Sequence, residues 1–153
     1  MGKQPGTLFS TRTGCRNRRN YFVKKEEISR LITYRLEQAQ TALDDARFLL
    51  DGGRSPQGIV NRAYYAMFYT AIALMQKIGK VPSKHSGVIS LFDTEFVLKG
   101  IFPKELSSDF HKAFELRQLS DYKSFKVISK EKAEQTLNNA AHFVEVVKKY
   151  LAL

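Results

Sequence analysis

The chain has 153 residues, enough for one domain with a single core, and its 43% hydrophobic and 26% charged residues are typical of a soluble globular protein. Its one cysteine, Cys15, excludes an internal disulfide and a cysteine-based metal site, and the lack of an apolar run of about eighteen residues excludes a membrane span. The formal net charge of +10 favours anionic partners.

The positive charge is concentrated at the N-terminus. Residues 1–25 contain seven basic residues and no acidic one, whereas the remaining 128 contain 18 basic and 15 acidic residues. Such a segment suits binding to RNA phosphates with release of counterions; alternatively, it is only a flexible extension or results from a start codon chosen too far upstream. It has no apolar stretch and is therefore not a secretory signal, so we expect a cytoplasmic protein. We divide the chain into a basic, flexible extension, 1–25, and a domain, 26–153.

Helical periodicity begins at Glu26. Asp51-Gly52-Gly53 ends the first helix, because glycine readily adopts the left-handed conformation of a helix C-terminus. Ser55 and Pro56 predict the N-cap and first turn of a second helix, near 56–79. This second helix is apolar on almost every side, which places it at the centre of a bundle. The first helix is predicted from one apolar stripe: Ile28, Leu31, Leu36, Ala39, Leu43, Ala46 and Leu50.

Three further helices are predicted after a loop over 79–87. They cover 87–99, 103–123 and the segment that follows Ser129, which can act as an N-cap. No segment alternates apolar and polar residues over the length of a strand, and no hairpin signal is present. The sequence therefore predicts an all-α fold, an antiparallel bundle of about five helices.

Polar residues at the start of the apolar second helix form the first candidate cluster. Asn61 and Tyr65 are four residues apart and share a face, and Arg62 lies next to them. A buried polar group needs a hydrogen-bond partner, because leaving it unsatisfied costs about 1–3 kcal/mol. These side chains therefore either bond the neighbouring helices or bind a nucleotide or RNA.

Two more polar clusters follow along the chain. Lys84 and His85 precede the third helix, where a cation, an imidazole and helix N-terminal amides would bind phosphate, unless His85 merely packs sideways at a helix cap. Near the end of the fourth helix, Arg117 and Asp121 are four residues apart and Tyr122 follows them. This group either grips a phosphate or forms a surface ion pair. The histidines are too scattered to predict a metal site, and no cofactor motif is present.

Taken in order, the three clusters resemble the HEPN family, in particular its small stand-alone UPF0332-like branch. The resemblance rests on Asn61 to Phe68, Lys84 to Gly87 and Leu116-Arg117 with Asp121-Tyr122, and it extends from about Glu26 to Leu151. It implies an all-helical, often dimeric protein encoded beside a minimal nucleotidyltransferase of the MNT type. It also implies a metal-independent ribonuclease toxin that this nucleotidyltransferase neutralises.

The ribonuclease members of that family carry an arginine followed by a histidine four to six residues later. The resemblance puts Arg117 at the arginine position, where it would stabilise a pentavalent phosphorus. Gln118 to Phe125 contains no histidine, so the imidazole would have to come from His85 on another helix or across a dimer. Tyr122 is similar in position to the tyrosine that the nucleotidyltransferase adenylylates in some HEPN modules.

Two functions remain open from the sequence. In the first, the protein is a ribonuclease toxin in which Arg117 acts with His85 or Tyr122. In the second, it is a non-catalytic, nucleotide- or partner-binding accessory subunit of a nucleotidyltransferase. Seven tyrosines and eleven phenylalanines also predict an exposed apolar patch and a symmetric homodimer. In either function, RNA or nucleotide would be bound by the remaining candidates: Asn61, Arg62, Tyr65, Lys84 and Asp121.

Overall fold

The computed structural model describes the backbone of residues 13–121 and 127–152, with side chains described from 24 to 119 and from 127 to 152. Within these ranges the chain is helical and contains no strand, which confirms the predicted all-α bundle of five helices. The helices are α1 (Thr13–Asp51), α2 (Pro56–Ile78), α3 (His85–Phe92), α4 (Lys104–Asp121) and α5 (Lys130–Leu151), and a π-helical turn, Asp93–Val97, extends α3.

The helix ends follow local signals in the sequence. Ser55 Oγ accepts a hydrogen bond from the Gly58 amide at 3.4 Å at the start of α2, and Ser129 Oγ accepts one from the Lys132 amide at 3.1 Å at the start of α5. Both residues were predicted as N-caps, and both predictions are confirmed. Gly79 ends α2 with a φ of 72°, a left-handed conformation that residues with a side chain adopt only with strain.

Helix α2 lies at the centre of the bundle, in contact with α1, α4 and α5. Thirteen of its 23 residues are buried, more than in any other described helix, as its apolar sequence predicted. A cluster of phenylalanines from three elements fills the space beside it: the ring centroid of Phe143 lies 5.2 Å from that of Phe92 and 5.3 Å from that of Phe110. Such aromatic burial provides much of the core's hydrophobic stabilisation.

Two helices begin at least two residues before their predicted starts. Helix α1 begins at Thr13, within the segment predicted to be an extension, because residues 13–25 contain no proline to stop a helix although they lack a regular apolar stripe. Helix α3 begins at His85 rather than at residue 87. No described helix is both long and apolar enough to cross a membrane.

The π-helical turn is held by contacts with α4. The Leu98 amide donates to the Asp93 carbonyl at 2.8 Å, the five-residue spacing of a π-helix. The Asp93 carboxylate accepts a hydrogen bond from Ser107 Oγ at 2.5 Å and contacts His111 Nε2 at 2.6 Å. These contacts join α3 to α4, and so fix the two elements that carry His85 and Arg117.

Candidate functional site

The candidate site lies where α2, α3 and α4 meet at His85. The His85 Nδ1 atom is 2.8 Å from the Tyr64 hydroxyl on α2 and 3.2 Å from Arg117 Nη1 on α4. His85 and Arg117 belong to two of the clusters singled out in the sequence, 32 residues apart. The fold therefore brings an imidazole into contact with Arg117, which has no histidine among the residues that follow it from Gln118 to Phe125.

These contacts indicate the protonation state of His85. A guanidinium has only donors, so Nδ1 must accept the hydrogen bond from Arg117 and cannot carry a proton. Burial lowers the pKa of His85 below the 6.5 of an ordinary histidine, and the positive charge of Arg117 lowers it further. The imidazole is therefore neutral at pH 7 and is able to accept a proton.

Apolar packing orients the imidazole. The ring of His85 stacks on the ring of Phe68 with centroids 4.2 Å apart, and the fully buried ring of Tyr64 lies 5.9 Å away. Burial raises the pKa of Tyr64, which Arg117 opposes only in part, so the phenol stays protonated. Tyr64 is thus a neutral hydrogen-bonding group that fixes the rotation of His85.

Arg117 and a second arginine both lie close to the ring of Tyr65. The Cζ atom of Arg117 is 5.1 Å from the centre of the Tyr65 ring, and that of Arg62 is 5.2 Å from it. The Asn61 Oδ1 atom accepts hydrogen bonds from Arg62 Nη2 at 3.0 Å and from Arg62 Nε at 3.3 Å. Two guanidiniums beside a half-buried phenol form a group suited to a phosphate and its attached base.

Five of the predicted site residues therefore form one connected group: Asn61, Arg62, Tyr65, His85 and Arg117. The predicted Lys84 is exposed and occupies the N-cap position of α3, directly before His85. Of the predicted Asp121 the structure describes the backbone alone, as the last residue of α4, and Tyr122 lies outside the described residues.

Two residues of the group, Tyr64 and Phe68, lie within the first cluster of the sequence analysis but were not among the predicted site residues. Tyr64 is the fully buried hydroxyl at the centre, and Phe68 is the ring on which His85 stacks. Tyr64 could have been predicted from its position on an apolar helix, because a phenol at a buried position needs a hydrogen-bond partner. Elsewhere in the described part of the chain, no three histidine, cysteine, aspartate or glutamate side chains come together as a metal site would require.

Comparison with known proteins identifies relatives over most of the chain. Residues 32–150 match the model of the HEPN domain. A UPF0332 protein of Thermotoga maritima is 36% identical over 125 residues, which cover 82% of this chain and 94% of that protein. Two proteins of Methanocaldococcus jannaschii, named "Putative toxin MJ0142" and "Putative toxin MJ0605", are each 35% identical over 127 residues, covering 83% of this chain and 83% and 90% of their own lengths.

Proposed function

This chain belongs to the HEPN family, and we propose that it is the toxin-like component of a two-protein module and cleaves RNA without a metal ion. The observation that carries the proposal is the 3.2 Å contact between Arg117 and the neutral imidazole of His85. A base and a phosphate-binding cation side by side are the two groups that this reaction needs. The names of the relatives from Methanocaldococcus jannaschii support the toxin-like role.

The reaction begins when the scissile phosphate binds Arg117. The guanidinium turns toward the phosphate oxygens and the Tyr64 hydroxyl rotates its proton away, and together these changes free the lone pair on Nδ1 of His85. His85 then takes the proton of the neighbouring 2′-hydroxyl, and the oxygen attacks phosphorus. The bond from phosphorus to the 5′-oxygen breaks, and that oxygen takes a proton from water, whose hydroxide is neutralised by the protonated His85. The products are a 2′,3′-cyclic phosphate and a 5′-hydroxyl.

The remaining residues of the group bind the substrate. Arg62 and Arg117 hold phosphate oxygens through charge-assisted hydrogen bonds, each worth about 1.5–3 kcal/mol. Tyr65 lies close to both guanidiniums and offers a ring for base stacking. Asn61 orients Arg62 through its two hydrogen bonds, and the exposed Lys84 beside His85 adds positive charge.

We propose that the second protein of the module is an MNT-type nucleotidyltransferase. Tyr122 follows Arg117 by five residues, and we expect this nucleotidyltransferase to transfer AMP to its hydroxyl. The added phosphate would compete with RNA for Arg117 and so prevent cleavage. This neutralisation does not require Tyr122 to take part in cleavage.

The second candidate function is a non-catalytic accessory subunit that binds a nucleotide for the nucleotidyltransferase. One observation favours it: the Nδ1 atom of His85 already has two partners, Tyr64 and Arg117, so the imidazole is already satisfied in the free protein. In this case the same arginines bind nucleotide phosphates, and His85 only positions Arg117.

RNA cleavage by the purified protein distinguishes the two functions. We expect cleavage that persists in EDTA, yields 2′,3′-cyclic phosphate ends, and is lost in Arg117→Ala and His85→Gln. Arg47→Ala and His142→Gln are matched controls, because both residues are exposed and lie outside the group. Nucleotide binding that needs Arg117, without any cleavage, would establish the accessory role instead.

A second assay tests the neutralising step. The protein is incubated with the nucleotidyltransferase and ATP and then analysed by intact-mass spectrometry. We expect a mass increase of one or more AMP groups, located on Tyr122 by fragmentation and absent from Tyr122→Phe. An unchanged mass would rule out this form of neutralisation.

A further inference from the structure

A groove of about 650 Å³ lies between the middle of α1 and the C-terminal ends of α2 and α5. Its apolar lining comes chiefly from Ile28, Ile32 and Leu36 on α1 and from Leu151 on α5. The three α1 residues are four positions apart and therefore form one ridge along the helix. The groove thus offers an elongated apolar surface parallel to α1.

The rim of the groove is positively charged. Lys24, Lys25, Lys77 and Lys148 line it, and no acidic side chain is among the described residues that do so. Lys148 Nζ donates to Gln40 Oε1 at 3.3 Å, which places this cation near residue 40 of α1. Lys24 and Lys25 lie at the other end, so about 24 Å of helix separates the two positive ends.

We propose that this groove binds an acidic amphipathic helix of a partner protein. The apolar ridge would receive the apolar face of the helix, and the lysines at both ends would pair with carboxylates along its edges. A helix that spans about 24 Å has about 16 residues, or between four and five turns. A fatty acid or a similar amphiphile carries one charged end, whereas the groove has cations at both ends.

The charge of the chain itself argues against its own segments as the occupant. Residues 1–23, which precede the lysines of the rim, contain five basic residues and no acidic one, so this segment would bring like charge to the lysine rim. A second copy has the same net charge of +10 and would be repelled in the same way at long range. An acidic partner gains attraction from the same charges.

The groove is separate from the His85–Arg117 group. Lys77 follows Tyr64 by thirteen residues on α2, which is about 20 Å along the helix axis. A helix in the groove would therefore hold the partner without touching Arg117. Docking and RNA cleavage are expected to be separable by mutation, and the docking proposal stands whether or not the protein is a ribonuclease.

The proposal is tested with a labelled peptide and the full chain. The probe is a peptide of about 18 residues with leucines at helical spacing on one face and glutamates on both edges. Its controls are a peptide of the same composition in scrambled order and one with lysine in place of each glutamate. By fluorescence anisotropy we expect the acidic amphipathic peptide to bind at least about tenfold more tightly than either control. Equal binding of the acidic and scrambled peptides would overturn the proposal.

Variants then locate the binding. We test one variant in the apolar lining, Ile32→Glu, and one double variant on the rim, Lys24→Glu with Lys25→Glu. Each should lower the affinity for the peptide by about tenfold or more. Leu98→Glu is the matched control for the apolar lining, because Leu98 is 77% exposed and lies outside the groove, and Arg117→Ala is the control for the other site. The lysine variants change exposed side chains only, so they test the proposal even if Ile32→Glu unfolds the protein.

Two results would overturn the assignment. Unchanged peptide binding in the lysine double variant would show that the rim does not recognise the helix. A dimer that becomes a monomer in Ile32→Glu and that the acidic peptide cannot dissociate would show that a second copy fills the groove.

Discussion

The Tyr64 hydroxyl is the smallest part of the candidate site that can be removed without disturbing the packing. In Tyr64→Phe the ring keeps its place beside Phe68 and Phe114, and the hydroxyl loses its 2.8 Å contact with His85 Nδ1 and its interaction with Arg117. We expect the free energy of unfolding to fall by about 0.5–1.5 kcal/mol in urea titrations. Cleavage should fall as well, because the imidazole loses the partner that fixes its rotation. Tyr34→Phe, at a ring that is 54% exposed, should change neither quantity.

The burial of His85, together with its contact with Arg117, makes stability depend on pH. Folding lowers the pKa of His85 below the ordinary 6.5, so between those two values the unfolded chain binds more protons than the native chain. The stabilising effect of the neutral imidazole is complete above pH 6.5 and is lost as the pH falls through the folded pKa. Urea titrations at several pH values should show a steeper loss of stability on acidification in the natural protein than in His85→Gln. The same slope in both proteins would contradict the assignment, and His142→Gln serves as the control.

At the scale of single elements, Gly79 is the residue whose backbone conformation ends α2. The Gly79 amide donates to Gln76 O and the Lys80 amide to Met75 O, the two hydrogen bonds of a Schellman motif around a left-handed residue. Gly79→Ala should lower the free energy of unfolding by about 1–2 kcal/mol, because alanine is strained at a φ of 72°.

A second glycine on the same helix provides the opposite control. Gly58 is in the first turns of α2, and a Cβ atom there would lie 3.4 Å from Leu49 Cδ1, an ordinary contact. Gly58→Ala should be neutral or stabilising by up to about 1 kcal/mol, since alanine favours the helix. The midpoint of thermal unfolding should therefore be higher in Gly58→Ala than in Gly79→Ala. If Gly58→Ala lost as much stability as Gly79→Ala, the left-handed conformation at Gly79 could not be the reason for the loss there.

Local sequence signals predicted the helices well, but they could not predict which side chains of different helices come into contact. Ser55, Ser129 and the apolar α2 each act within a few residues, so the sequence alone identified them. The π-helical turn depends on Asp93 reaching Ser107 and His111 on α4, which no local pattern records. The candidate site has the same character: its three clusters were visible in the sequence, but the 3.2 Å contact between His85 and Arg117 follows from how α3 packs against α4.

At the scale of the whole molecule, the high net positive charge opposes formation of the predicted homodimer. Added salt screens this repulsion and should therefore favour the dimer. Two copies that each carry +10 repel one another over a distance set by the ionic strength, about 30 Å at 0.01 M and 10 Å at 0.1 M. Apolar contact between the copies is far less sensitive to salt. Light scattering at micromolar concentration should therefore report a mass that rises with salt toward twice 17.5 kDa.

The charge near the N-terminus supplies the control for this prediction. Residues 1–25 carry seven basic side chains, so replacing Arg16, Arg18 and Arg19 with glutamine lowers the net charge to +7 (10 − 3) without shortening the chain. If long-range repulsion limits association, the triple variant should reach the dimer mass at a lower salt concentration than the natural protein. A mass of 17.5 kDa for both proteins at every salt concentration would exclude the homodimer, and with it a site shared between two copies. The His85–Arg117 contact would still be complete, because both residues belong to one chain.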